Sequence, residues 1–206
     1  TAGRTTLQGE GLQHQDGHSL VLASTVPPCQ SYDPSYAYEV AAIIQAGIHR
    51  MYGPDSDRPN GEERDVFYYI TLYNENYPMP PMPQTIYDGL DVVTGIIDGL
   101  YPWSPAPKVG GPAVTLLFSG PMWKVAVDAQ SLLAEHYGVG AELWSATSYQ
   151  QLRMDAIAVE RWNLLHPSES PRTTKVADLL DRSHGPIVAV TDFMRAVPDQ
   201  VARWMQ

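Results

Sequence analysis

The 206 residues carry 13 Lys and Arg against 23 Asp and Glu, a formal charge of −10, with 44% hydrophobic and 17% charged side chains. That is globular composition, long enough for one large domain or two modest ones with a real core. The negative balance argues against non-specific binding to nucleic acid or anionic lipid, which both need a positive field, and still allows an anionic ligand held by a few local donors. The single cysteine, Cys29, rules out a disulfide within the chain and fits a reducing, cytosolic setting. No stretch approaches the apolar length of a membrane helix, and the start has no signal-peptide pattern. The chain opens at Thr1 and stops at Gln206 directly after an apparent helix, so a fragment of a longer protein is expected.

Residues 1–34 are rich in Gly, Pro, Ser and Thr, with one short apolar run from Leu20 to Ala23. PSYAYEVAAIIQAGIHRMYG then predicts a helix. Asp33 or Ser35 suits its cap, Pro34 its first turn and Gly53 its end. Tyr36, Val40, Ile43, Ile44 and Ile48 recur at helical spacing. GPDSDRPNGEER (53–64) reads as an exposed polar loop, and the β-branched and aromatic DVFYYITLY (65–73) as a buried strand. Pro78, Pro80, Pro81 and Pro83 give NENYPMPPMPQ (74–84) extended polyproline character, so a domain boundary is placed there. Between 86 and 101 the glycines leave helix and strand unseparated. The second half alternates: strands at 113–120, 141–148 and 185–193, helices at 122–138, 149–165, 173–183 and 197–205. That rhythm predicts an α/β fold with a parallel sheet covered on both faces.

The stretch GEGLQHQDGH (9–18) concentrates Glu10, His14, Asp16 and His18 among glycines. His14 and His18 are four apart, a helical metal-ligand spacing, but Gly9, Gly11 and Gly17 disfavour a helix, and no strong third ligand lies nearby in sequence. As a loop, it can hold a carboxylate beside an imidazole for proton transfer, and glycines admit close approach of a ligand. A solvated polar loop explains the same residues, and the residues alone leave both readings open. His49 and His136 sit late in helices, where a cation favours the dipole, and His184 lies just past a helix end. His166, near Arg161, Trp162 and Asn163, reads as packing and capping, and Cys29 as structural. No phosphate-binding glycine loop or nucleophile elbow is present.

TAGRTTLQGEGLQHQDGHS followed by SYDPSYAYEVAAIIQAGIHRMYG resembles the bacterial homodimeric pyruvate dehydrogenases, the thiamine-diphosphate-dependent decarboxylating components of pyruvate dehydrogenase complexes. The likeness continues through FYYITLYNENYPMPPMP and YGVGAELWSATSYQQLRMDAIAVERWNLLHP to PIVAVTDFMRAVPDQV, and is weakest over 84–112. The resemblance implies an α/β chain in two parts. Residues 1–78 would end a pyrimidine-binding thiamine-diphosphate fold domain. Residues 79–206 would be an incomplete transketolase-like C-terminal domain with a mainly parallel sheet. The family's GDG…N motif and its cofactor-activating glutamate have no counterpart here, so the ligands of the diphosphate and Mg2+ are missing from this chain.

The resemblance also implies the site. Glu10 would be catalytic and cofactor-binding, organising hydrogen bonds at the cofactor–substrate centre. His14 would be catalytic at the substrate end, stabilising the pyruvate carboxylate or shuttling a proton. Asp16 and His18 would at most support them, and Gln15 stands where some relatives carry an acid. The cofactors implied are thiamine diphosphate and Mg2+. The partners implied are a homodimer mate, lipoyl domains, a dihydrolipoamide acetyltransferase core and pyruvate, in the cytoplasm, with no nucleic acid or membrane. Alone, the chain is expected to be inactive. A non-catalytic dimerisation or assembly module, and a relative acting on another 2-oxo acid, are the alternatives.

Overall fold

The computed structural model describes residues 11–54, 64–73, 75–84 and 89–205. Two apolar runs of alternating side-chain direction make the centre of the second half: β4 (Ala113–Phe118) and β5 (Gly140–Ser145), paired in parallel along their whole length. Leu116, Phe118, Ala141 and Leu143 point into one cluster, while Leu117 and Trp144 point into another, as the two-residue period of a strand requires. The first face is covered by α4 (Trp123–Tyr137) through Ala126 and Leu133. The second is covered by α5 (Tyr149–Leu165) and α6 (Lys175–Leu180) through Leu152, Val176 and Leu180. Each fully buried leucine of this kind contributes roughly 1.5–3 kcal/mol. β6 (Ile187–Val190) pairs in parallel with β4, and β3 (Tyr101–Ser104) pairs antiparallel with β5, giving the order β3-β5-β4-β6.

The mainly parallel, two-sided sheet is thus present, with one antiparallel edge strand that periodicity left unassigned. Pro102 sits in that edge strand, where a missing N–H costs no inner ladder bond, and the register slips beside it. The ambiguous 86–101 stretch holds a short helix, α3 (Val92–Asp98), and then β3. Asp91 caps α3 by accepting from the Thr94 N–H at 2.8 Å, and Gly99 ends it at φ +106°.

The first half is a β–α–β unit. β1 (Cys29–Tyr32) and β2 (Phe67–Ile70) pair in parallel, joined through α2 (Ala37–Tyr52). A five-residue helix, α1 (Ser19–Ala23), takes the apolar run before β1 and buries Leu20. Four expectations need correction. The 65–73 strand is shorter and only partly buried: Phe67 at its start is 51% exposed, while Tyr69 packs against one buried cluster and Tyr68 and Ile70 against another. On α2, Ile43 is buried but Ile44 and Ile48 face outward, so the apolar stripe is narrower than the spacing implied. Neither Asp33 nor Ser35 caps that helix; Tyr36 is the N-cap residue, and Glu39 reaches back to the Ser35 and Tyr36 N–H groups. The final helix at 197–205 is two 3-10 turns, Pro198–Gln200 and Ala202–Trp204. Most of the loop at 53–64 lies outside the described residues.

The two halves interlock. The Asp33 N–H donates to the Thr147 carbonyl at 2.8 Å and the Gly120 N–H to the Asp33 carbonyl at 3.1 Å. The Gln150 side chain accepts from the Ser31 N–H and donates to the Cys29 carbonyl, and the Ser148 hydroxyl donates to the Ser31 carbonyl. Tyr32 donates its hydroxyl to the Ile97 carbonyl. By contrast, the prolines of 78–83 carry no helix or strand, and Met79 and Met82 are half-exposed. Cleavage at a protease site inserted between Met79 and Met82 is therefore expected to leave both pieces together on size exclusion without denaturant. Separate elution would show that the buried bonds across the halves are too weak to hold them.

Candidate functional site

The HQDGH stretch folds as a turn, not a helix carrying two ligands on one face. Gly11 takes φ +86°, Leu12–His14 form one 3-10 turn, and the His14 N–H closes it on the Gly11 carbonyl at 3.2 Å. The His14 and His18 side chains are exposed, as are Gln13 and Gln15. Asp16 is the buried member. Its carboxylate accepts from the His18 N–H at 3.1 Å, the Ser19 N–H at 2.9 Å and the Ser19 hydroxyl, so it anchors the entry to α1. The Gly17 carbonyl accepts from the Met194 N–H at 2.8 Å, which fastens the turn to the segment that follows β6. Glu10 lies outside the described residues. Among the described residues no three His, Cys, Asp or Glu side chains gather as a metal site.

The remaining histidines take local roles. The His166 ring stacks on Trp162 at 4.5 Å, and the Arg172 guanidinium covers Trp162 at 3.7 Å. Asn163 holds the Arg172 backbone through both its carbonyl and its N–H, so the ERWNLLH cluster is a packed helix end. The His184 N–H donates to Glu142, a buried carboxylate that also accepts from the Thr115 hydroxyl. His49 and His136 fall in the last turns of α2 and α4. Cys29 is buried in β1, and burial pushes its thiol pKa up, away from the thiolate a nucleophile needs.

Sequence reasoning missed two buried carboxylates at the junction of the halves. Glu39 is fully buried. One oxygen accepts from the Tyr101 hydroxyl at 2.6 Å and the Ser145 hydroxyl at 2.7 Å; the other accepts from the Ser35 and Tyr36 N–H groups. The network runs outward from Tyr101 to Tyr38 at 2.9 Å, where the Trp103 indole N–H donates at 3.2 Å. Burial raises the Glu39 pKa, and these donors pull it partly back. Asp33 accepts from the Thr71 and Tyr73 hydroxyls beside Gly120. The available signal is a glutamate three residues after the N-cap residue Tyr36, the second half of a capping box.

The doubly covered sheet with its one antiparallel edge is the architecture of a transketolase-like C-terminal domain, here locked to a β–α–β unit that carries the histidine turn. Residues 1–80 match the family described as the pyruvate dehydrogenase E1 component middle domain, and residues 99–205 match the transketolase-like C-terminal domain. The pyruvate dehydrogenase E1 component of Pseudomonas aeruginosa is 45% identical over 205 residues, which is 100% of this chain and 22% of that protein. That of Mycolicibacterium smegmatis is also 45% identical over 205 residues, 100% of this chain and 21% of that protein. A transketolase mutant from Pichia stipitis aligns at a TM-score of 0.49 and 15% identity, covering 95% of this chain and 26% of that one. This chain belongs to the pyruvate dehydrogenase E1 component family. It spans about a fifth of the length of the curated relatives it matches.

Proposed function

We propose that this chain serves in pyruvate dehydrogenase (acetyl-transferring), supplying part of the substrate end of a site for oxidative decarboxylation of pyruvate and acetyl transfer to a lipoyl group. The observation that supports this reading is the 45% identity, over 205 residues and 100% of this chain, to a protein named pyruvate dehydrogenase E1 component. His14 is the residue assigned to chemistry. Its imidazole offers a donor and an acceptor nitrogen, and its exposure leaves both open to a ligand. It would hydrogen-bond the pyruvate carboxylate and move a proton at the substrate end. Glu10, four residues earlier, would orient the cofactor–substrate centre.

Thiamine diphosphate would supply the electron sink when bound. The family's GDG…N motif has no counterpart in this sequence, so the diphosphate and Mg2+ would be held by residues outside this chain. The partners of this reading are pyruvate, a homodimer mate, lipoyl domains and an acetyltransferase core, in the cytoplasm. No helix among the described residues is long and apolar enough to cross a membrane.

The test places this chain in the matching stretch of the Pseudomonas aeruginosa relative. Pyruvate-dependent CO2 release and lipoyl acetylation by that graft are the expected results. His14→Ala in the graft should lower kcat at least tenfold, in the range general acid–base groups supply. An active graft indifferent to His14→Ala would remove the assignment, and turnover only on a bulkier 2-oxo acid would replace the substrate.

A further inference from the structure

We infer that Asp16 is the positioning residue of the histidine turn, holding His14 in place through the backbone of residues 16–19. This inference rests on the functional reading above. The side chains of Gln13, His14, Gln15 and His18 are all exposed and do little to fix their own position, and Gly9, Gly11 and Gly17 stand among them in sequence. A glycine-rich turn left to itself samples many conformations, because glycine restricts φ least. Hydrogen bonds from Asp16 and Gly17 tie this one to its surroundings. Asp16, buried at 9% exposure, takes the His18 N–H, the Ser19 N–H and the Ser19 hydroxyl, which joins the turn to α1. The Gly17 carbonyl takes the Met194 N–H, which joins it to the second half. α1 is itself secured, since Leu20 is buried in the cluster of Leu117, Trp144, Val197 and Val201. The path from core to His14 therefore runs Leu20, Ser19, Asp16, His14, and over residues 13–18 the Asp16 carboxylate is the buried side chain.

A group acting this way alters rate through another residue's geometry, and misplacement by about 1 Å is enough to cost a large factor. In the graft, Asp16→Ala should lower kcat about tenfold with KM changed less than about twofold. Asp16→Asn keeps an amide oxygen for the His18 and Ser19 N–H groups and should recover most of the loss. The decisive readout is the double substitution. If Asp16 works through His14, Asp16→Ala adds nothing once His14 is Ala, so the pair turns over no more slowly than His14→Ala alone. A purely structural role would instead multiply the two losses, and that result overturns the inference. Unchanged kcat in Asp16→Ala beside a slowed His14→Ala overturns it too, while leaving the functional reading standing. An unaffected His14→Ala removes both. In the 206-residue chain itself, amide exchange at His18 and Ser19 should quicken at least tenfold in Asp16→Ala. Unchanged protection there would overturn the inference whatever the graft does.

Discussion

Replacing Glu39 with Ala is expected to destabilise the chain by about 4 kcal/mol, read as a shift of the urea midpoint. The carboxylate accepts four hydrogen bonds in a site closed to solvent. Its removal leaves the Ser35 and Tyr36 N–H groups and two hydroxyls without their acceptor, and each buried orphan costs roughly 1–3 kcal/mol. Rotation of the hydroxyls offsets part of that sum. Gln should cost far less, about 1 kcal/mol, since its oxygen can serve the two N–H groups while its NH2 donates to hydroxyls that turn to accept. A loss under 1 kcal/mol for Glu39→Ala would mean that water reaches the site.

The same carboxyl predicts a pH dependence. Burial holds its pKa above the usual value of 4.5, so between that value and the folded one the native state binds the extra proton. Stability from this group is then greatest below the unfolded pKa and falls as pH rises through the folded pKa. Glu39→Gln lacks the titration, so the stability advantage of the native chain over it should shrink with rising pH. An advantage that grew instead would contradict the direction of the shift. Tyr36, Tyr38, Tyr77 and Tyr101 are the titrating groups around it, and all are pushed upward by burial, so none ionises in that window.

Gly99→Ala is the second large effect expected, about 3 kcal/mol and roughly 6–12 °C in Tm. At φ +106° the backbone is one that side chains rarely adopt, and a Cβ there would collide with the Ser148 carbonyl and meet the Leu152 side chain at 3.3 Å. The Ser148 N–H also donates to the Gly99 carbonyl at 3.1 Å, so the two backbones cannot simply part. Gly138 is the internal comparison. It ends α4 at φ +63°, but a Cβ there meets nothing within 4 Å, so Gly138→Ala should show only the backbone strain, about 1 kcal/mol. Equal losses at the two positions would show that backbone conformation, and not contact with Ser148, governs both.

Glu39 and Gly99 also mark where local pattern stops being informative. α5 spans Tyr149–Leu165, the stretch its spacing predicts, because a capped seventeen-residue amphipathic segment declares its own ends. The Gly138 stop of α4 and the apolar β4 and β5 were equally readable from local residues. Residues 86–101 were not, since Gly95 and Gly99 weaken any period and the reason for Gly99 is a carbonyl 49 positions away in the chain. In the sequence Glu39 is one charge on a helix. Its meaning comes from Tyr101 and Ser145, at sequence separations of 62 and 106.

The candidate site divides the same way. Resemblance carried by GEGLQH singles out Glu10 and His14, and the strand–helix alternation by itself determines the α/β class. Only the tertiary structure decided that Asp16 is buried, that Met194 holds Gly17, and that 65–73 is half-exposed while 197–205 breaks into 3-10 turns. The physical reason is range. Periodicity, capping and turn chemistry act over a few residues and are written in neighbouring letters, whereas burial of a polar group depends on which distant donors arrive to satisfy it.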